Sequence, residues 1–233
     1  MPVTTLALDG DDTLWHSEAL YDVTSRQFAD LLAPWLAGRD SDAELLATEQ
    51  RNLRLFGYGV KGYTLSMIET AIEISGGEVT ARELQQVIDW GKGMLAHPVE
   101  LLDGVRETID ALADRYRLLL VTKGDLFHQE TKLATSGLAE RFWRVEIVGE
   151  KDEATFGRIL ADHGISSQEF VMVGNSVRSD VLPVLALGGR AVHVPYRLTW
   201  ALEAAEPPAE HDGYWTVERF ADLPALLETL DDR

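Results

Sequence analysis

LALDGDDTLW, residues 6–15, decides how the rest of the chain is read. Asp9, Asp11 and Asp12 fall within four consecutive positions, and carboxylates held that close repel one another. The preceding run TTLALD, residues 4–9, is short and apolar without alternation, the pattern of a strand covered on both faces. The acidic cluster therefore sits at the carboxyl end of a buried strand, and in an open parallel sheet that is the edge where ligands bind.

Four further runs have the same character: YRLLLVT (116–122), RVEIVG (144–149), FVMVG (170–174) and RAVHVP (190–195). Helical patterns separate them at 103–115, 126–138, 151–164 and 179–189, with a terminal one at 223–230, and several stop at glycine, as helix ends commonly do. Strand followed by helix, repeated, predicts an α/β fold with a doubly wound parallel sheet. Residues 17–96 differ. Their apolar positions recur at helical spacing, Ser41 and Thr80 are expected N-caps, and no strand pattern interrupts them. This predicts a smaller all-helical insertion, residues 16–99, in a discontinuous core domain made of residues 1–15 and 100–233. Pro98 and Gly104 mark the return connection.

Composition narrows the partners. Of 233 residues, 39 are acidic and 21 basic, and the net charge of -18 sets up a field that repels nucleic acid and anionic lipid. A small phosphorylated ligand stays compatible, because a bound cation reverses the potential locally. The absence of cysteine removes disulfides, thiolate nucleophiles and thiolate metal sites. MPVTTLALDGDD has no basic segment and too short an apolar run for a signal peptide or membrane span, so the expected location is cytoplasmic. Oligomeric state is not encoded in any pattern found.

The strand ends carry the chemistry. The first strand ends in Asp9-Gly10-Asp11-Asp12-Thr13, and the second runs into Thr122-Lys123-Gly124-Asp125. Glu150-Lys151-Asp152 follows the third, and Asn175-Ser176-Val177-Arg178-Ser179-Asp180 the fourth. Hard oxygen ligands on one edge suit magnesium, which takes one or two carboxylates and leaves positions for water and a substrate phosphate. One carboxylate can then act as nucleophile, while a second, two residues on, exchanges the proton of the leaving alcohol.

DGDDT, with Thr122, Lys151 and the 174–180 segment in order behind it, resembles the four motifs of the haloacid dehalogenase-like hydrolase superfamily. The resemblance spans essentially the whole chain, since a helical insertion between the first two motifs is similar to the cap of its subfamily I. It implies that Asp9 attacks phosphorus and ligates magnesium. Asp11 would act as general acid and then base and lend the metal its backbone carbonyl. Thr122 would bond the transferring phosphoryl group, and Lys151 would hold the nucleophile and offset transition-state charge. Asp180 would ligate magnesium, and the amides of Gly10, Asp11 and Lys123 would be further phosphate donors. One position departs: many phosphatases of this family have Asp where this chain has Asn175, whose amide oxygen can coordinate or orient water but brings no charge. Asp180 is accordingly expected to be the dominant ligand.

The expectation is a magnesium-dependent phosphatase acting on a small phosphorylated metabolite, with the helical cap closing over the site and shaping specificity. Rivals on the same fold are a phosphomutase, which differs only in the acceptor, and a 2-haloacid dehalogenase, which does not require an acid at Asp11. A phospho-accepting signalling module is a rival of another class, but such modules are about half this length and carry the accepting Asp on the third strand, where this chain reads VGEKD. Within the insertion, FGYGVKGY (56–63), with Lys61, is the segment expected to form a substrate loop. Asp12 is assigned to local turn bonding, His163 to a helix end and His193 to the core. Trp15 and Trp200 are assigned to packing near the domain junction, and Trp215 to the core.

Overall fold

The structure, a computed structural model, describes residues 2–231. Six strands form one sheet: β1 (Thr5–Leu8), β2 (Arg117–Lys123), β3 (Arg144–Val148), β4 (Phe170–Gly174), β5 (Arg190–His193) and β6 (Tyr214–Thr216). Their order is β3-β2-β1-β4-β5-β6, and every pairing is parallel. β1 lies at the centre, with Leu6 level with Leu118 on one side and Val171 on the other. The chain steps from β1 outward through β2 and β3, then crosses to β4. That reversal puts the topological switch point beside β1, where doubly wound sheets bind ligands.

The helices are α1 (Glu18–Leu32), α2 (Ser41–Phe56), α3 (Val60–Ser75), α4 (Ala81–Leu95), α5 (Val105–Ala113), α6 (Leu126–Ser136), α7 (Glu153–His163), α8 (Leu182–Ala186) and α9 (Leu223–Asp231). Alternation along the strands sorts their side chains onto two cores. Leu6, Leu8, Leu118, Leu120, Val171 and Val173 pack with Val105 and Ile109 of α5 and Leu223 and Leu227 of α9. Ala7, Leu119, Val121 and Met172 pack on the other face with Phe156 and Ile159 of α7 and Val184 of α8. Both faces are covered, which is why these strands read as unbroken apolar runs.

The chain divides into two compact units. The first, Met1–Glu18 with Val99–Lys123 and Gln129–Arg233, contains the whole sheet. The second, Ala19–Pro98 with Gly124–His128, is helical and has its own core around Phe28, Leu32, Met67, Ala71 and Val87. Thr80 caps α4 through a reciprocal pair in which its side chain receives the Glu83 amide and the Glu83 carboxylate receives the Thr80 amide.

Four local expectations are corrected. The cap of α2 is Asp40, whose carboxylate accepts from the Asp42 amide at 3.0 Å, and Ser41 is already helical. Residues 56–63 are not one loop. Gly57 and Gly59, both at positive φ, make the turn, and Val60–Tyr63 opens α3. Residues 179–189 are not a uniform helix: Val177–Val181 is a π-helical turn ahead of the short α8, since Pro183 has no N–H to continue an i to i−4 ladder from Ser179. Finally, the sheet has an edge strand, β6, that was not predicted because three residues are too few to show a period, while its Trp215 packs against the core that includes Leu223, where it was expected.

Candidate active site

β1 delivers Asp9 in register. Its amide continues the ladder to the Val173 carbonyl at 2.9 Å, so the side chain starts from backbone held by the sheet. The chain then turns tightly, with the Gly10 carbonyl accepting from the Leu14 amide at 2.8 Å. Gly10 is required there: a Cβ would lie 2.8 Å from the Trp15 ring and 3.2 Å from Thr122 Oγ1. Thr122, the last residue but one of β2, thus has its buried hydroxyl beside the Gly10 backbone.

Lys151, just ahead of α7, reaches across the strand ends. Its Nζ donates to Asp9 Oδ1 at 2.5 Å and to Asp180 Oδ1 at 2.7 Å, and all three residues are buried, at 4, 6 and 1 % exposure respectively. Asp180 also accepts from the Ser176 amide at 3.0 Å through Oδ2, a bond made across the π-helical turn. Burial pushes the Asp9 carboxyl up to about 7, against the pull of Lys151 and with the help of Asp180. Burial also works against the Lys151 ammonium, but Asp180 and Asp9 outweigh it and raise the lysine above its ordinary value.

Thr13, the last residue of DGDDT, joins β1 to β4. Its hydroxyl receives the Asn175 amide at 3.0 Å and donates to Asp9 Oδ2 at 3.2 Å. Because that proton goes to Asp9, the Asn175 side chain presents its Nδ2 here, donating to Asp9 Oδ2 at 3.1 Å, the Asp11 carbonyl at 3.2 Å and Thr13 Oγ1 at 3.3 Å. His193 on β5 braces the same segment through Nε2 to the Asn175 carbonyl at 3.0 Å. His16 pairs with Tyr196 at 2.7 Å, and His163 with Glu146 at 2.8 Å.

The site fits a hard cation. The Asp9 carboxylate and the Asp11 carbonyl converge on the one amide nitrogen of Asn175, so oxygen donors already surround a single electropositive atom. The buried Lys151 faces two carboxylates, which leaves one negative charge uncompensated when both are ionised, and further positive charge is the natural remedy. Among the described residues no three acidic or histidine side chains form a ready-made cage.

Two predicted residues have unexpected partners. The Asp11 side chain is gripped by Trp15 Nε1 at 2.6 Å, Lys132 Nζ at 2.7 Å and Gln129 Nε2 at 2.9 Å. Burial alone would raise this carboxyl, but Lys132 and the hydrogen bonds from Lys132, Gln129 and Trp15 lower it below the ordinary value. Lys123 directs its ammonium to Glu203 at 2.5 Å and Ser179 at 2.9 Å, with Glu150 at 3.3 Å. Glu203 in turn accepts from Ser176 and Ser179 at 2.6 and 2.5 Å. Sequence reasoning missed Thr13, Gln129, Lys132 and Glu203 and read Trp15 as packing. The i to i+4 spacing from Asp11 to Trp15 and the i to i+3 spacing from Gln129 to Lys132 were visible, but neither identifies a partner. Asp12 is the N-terminal anchor of α1, accepting from the Ser17 amide at 2.9 Å and the Glu18 amide at 3.0 Å. In the helical unit, Lys61 pairs with Asp125 at 2.9 Å.

The class of protein to which this sheet order, with a carboxylate gripped by a buried lysine at the end of its central strand, belongs is given by comparison with known families. Residues 3–188 match the family model described as haloacid dehalogenase-like hydrolase, and the chain belongs to that family. It is similar to the N-acylneuraminate-9-phosphatase of Mus musculus, with 27% identity over 172 residues, covering 70% of this chain and 66% of that protein, a little under two thirds of its length. Among solved structures it is similar to a haloacid dehalogenase-like family hydrolase from Xanthomonas campestris, with 43% identity, a TM-score of 0.89, and coverage of 99% of this chain and 92% of that one. A HAD-hydrolase from Bacillus subtilis bound to magnesium shares the fold at 16% identity and a TM-score of 0.68, covering 97% of this chain and 99% of that one.

Proposed function

We propose that this protein is a magnesium-dependent phosphatase that hydrolyses a small phosphomonoester through a phospho-aspartyl intermediate on Asp9. The observation that carries the reading is the buried Asp9–Lys151–Asp180 group at the carboxyl edge of β1 and β4. Lys151 holds one Asp9 oxygen and Thr13 the other, which fixes the carboxylate for attack. Magnesium, held by the Asp9 carboxylate, the Asp11 carbonyl, Asp180 and Asn175, the last with its amide turned over to present the oxygen, would supply positive charge to the phosphoryl oxygens of the ester.

In the first half-reaction an Asp9 oxygen bonds to phosphorus, and the bond from phosphorus to the ester oxygen breaks. The leaving oxygen takes a proton from Asp11. Because Lys132 favours the ionised form of Asp11, that proton is drawn from the incoming monoanionic ester, whose second ionisation lies near pH 6. In the second half-reaction water attacks phosphorus and gives its proton to Asp11, the acyl phosphate bond breaks, and phosphate leaves with the proton. Lys151 stays positive throughout and offsets the charge on the pentacoordinate phosphorus. Thr122, beside Gly10, is the hydroxyl assigned to the phosphoryl oxygens, along with the amides of Gly10, Asp11 and Lys123.

Similarity to N-acylneuraminate-9-phosphatase supports phosphate-ester chemistry and makes N-acylneuraminate 9-phosphate the first metabolite to assay. The direct test is hydrolysis of 4-nitrophenyl phosphate with and without magnesium. Turnover is expected only with magnesium and only with Asp9 intact, and full activity in Asp9→Asn would overturn the assignment.

A further inference from the structure

Asp11 is the residue whose surroundings the family motifs leave undescribed. Both of its carboxylate oxygens are occupied. Oδ1 accepts from Lys132 Nζ at 2.7 Å and Trp15 Nε1 at 2.6 Å, and Oδ2 accepts from Gln129 Nε2 at 2.9 Å. Gln129 and Lys132 lie three residues apart on α6 and therefore share one face of it.

Gln129 is the more telling of the two. It is 2 % exposed, and its Nε2 donates both to Asp11 and to the Lys123 carbonyl at 2.6 Å, tying the carboxylate to the end of β2. Its Oε1 is buried with no protein partner among the described residues. A buried acceptor without a donor is normally eliminated. Turning the amide over would set Oε1 against two acceptors, so the orientation is fixed and the orphaned oxygen is what remains. An apolar side chain of the same volume would fill the space without that defect. The position is explained by what Nε2 holds. Lys132 adds a charge-assisted bond to the other oxygen, and Trp15 completes a three-sided clamp that leaves the carboxylate no free rotation.

We propose that Gln129 and Lys132 are positioning residues that hold the Asp11 carboxylate in the orientation from which it passes protons to the leaving oxygen and takes them from water. The inference rests on the phosphatase reading of the site. It predicts that loosening the clamp penalises substrates in proportion to their need for a proton on the leaving group.

The test compares kcat/KM for phenyl phosphate and 4-nitrophenyl phosphate in magnesium buffer. The two esters are close in shape, but the nitro group stabilises the departing phenolate and lessens its need for a proton. Gln129→Met keeps the volume and leaves the ion pair in place, so its folding is least at risk. Lys132→Met removes the ammonium, and Lys132→Arg restores the charge. The ratio of phenyl to nitrophenyl turnover should fall about 10-fold in Gln129→Met and further in Lys132→Met, within the span general acid–base catalysis contributes. It should recover in part in Lys132→Arg. In an Asp11→Asn background Lys132→Met should bring no further fall, because the two act as one unit. A ratio that stays constant while both rates drop together, or one that does not move at all, overturns the positioning role and leaves the phosphatase reading intact. A wild-type protein that hydrolyses neither ester overturns both.

Discussion

Glu203 shows how one side chain can serve several others in a small volume. Its carboxylate takes Lys123 on one oxygen and the hydroxyls of Ser176 and Ser179 on the other, at 2.5 to 2.6 Å. Burial would raise this carboxyl, but Lys123 and the two serines outweigh it and hold it below the ordinary glutamate value of 4.5. A depressed carboxyl contributes stability that is present above its unfolded value and is lost as the pH falls through the folded one. At neutral pH, Glu203→Gln should therefore lower stability by about 1 to 3 kcal/mol, the range for hydrogen bonds to charged groups. The gap between variant and wild type should close as the pH drops below about 4.5. Urea midpoints measured across that range check it, and a gap independent of pH would show that the carboxylate charge contributes nothing. Glu203 lies 80 residues from Lys123 in sequence, in the loop between β5 and β6, and a contact of that range leaves no periodicity to read.

At the scale of elements, the close of β4 is the tightest point of the site. A Cβ on Gly174 would lie 2.1 Å from Asp180 Oδ2 and 2.3 Å from its Cγ, far inside contact distance. Gly174 is what lets the π-helical turn fold Asp180 back against the strand end, where Lys151 meets it. Gly174→Ala should cost about 1 to 3 kcal/mol of stability, as overpacking a core does. It should also lower kcat in the phosphate-ester assay, since Asp180 has to shift. A thermal melt and an activity assay of the same sample check both, and an unchanged melting temperature would contradict the geometry. The five longer strands and their helices could be read from the sequence because burial on both faces writes itself as uninterrupted apolar runs. β6 and the π-helical turn could not, because one is three residues long and the other arises from Pro183 and packing.

For the whole molecule, sheet order explains why residues scattered from 9 to 180 meet. With β1 between β2 and β4, the residues that follow these strands share one edge, and Lys151 reaches it from beyond β3. Motif order pointed to that convergence, so the meeting of Asp9, Lys151 and Asp180 was legible in advance. The clamp on Asp11 was not, since Gln129 and Lys132 look like any solvated helix positions until the sheet brings α6 alongside. The net charge of -18 does not exclude an anionic ligand, because a bound cation reverses the potential locally, and no helix among the described residues is long and apolar enough to cross a membrane. The claim that Asp9 forms a covalent bond to phosphorus is tested most directly by acid quenching of the enzyme during turnover of 4-nitrophenyl phosphate with magnesium, followed by peptide mass spectrometry. The account predicts a phosphoryl group on the peptide containing Asp9, at that residue. A phosphoryl group located on any other side chain would contradict it.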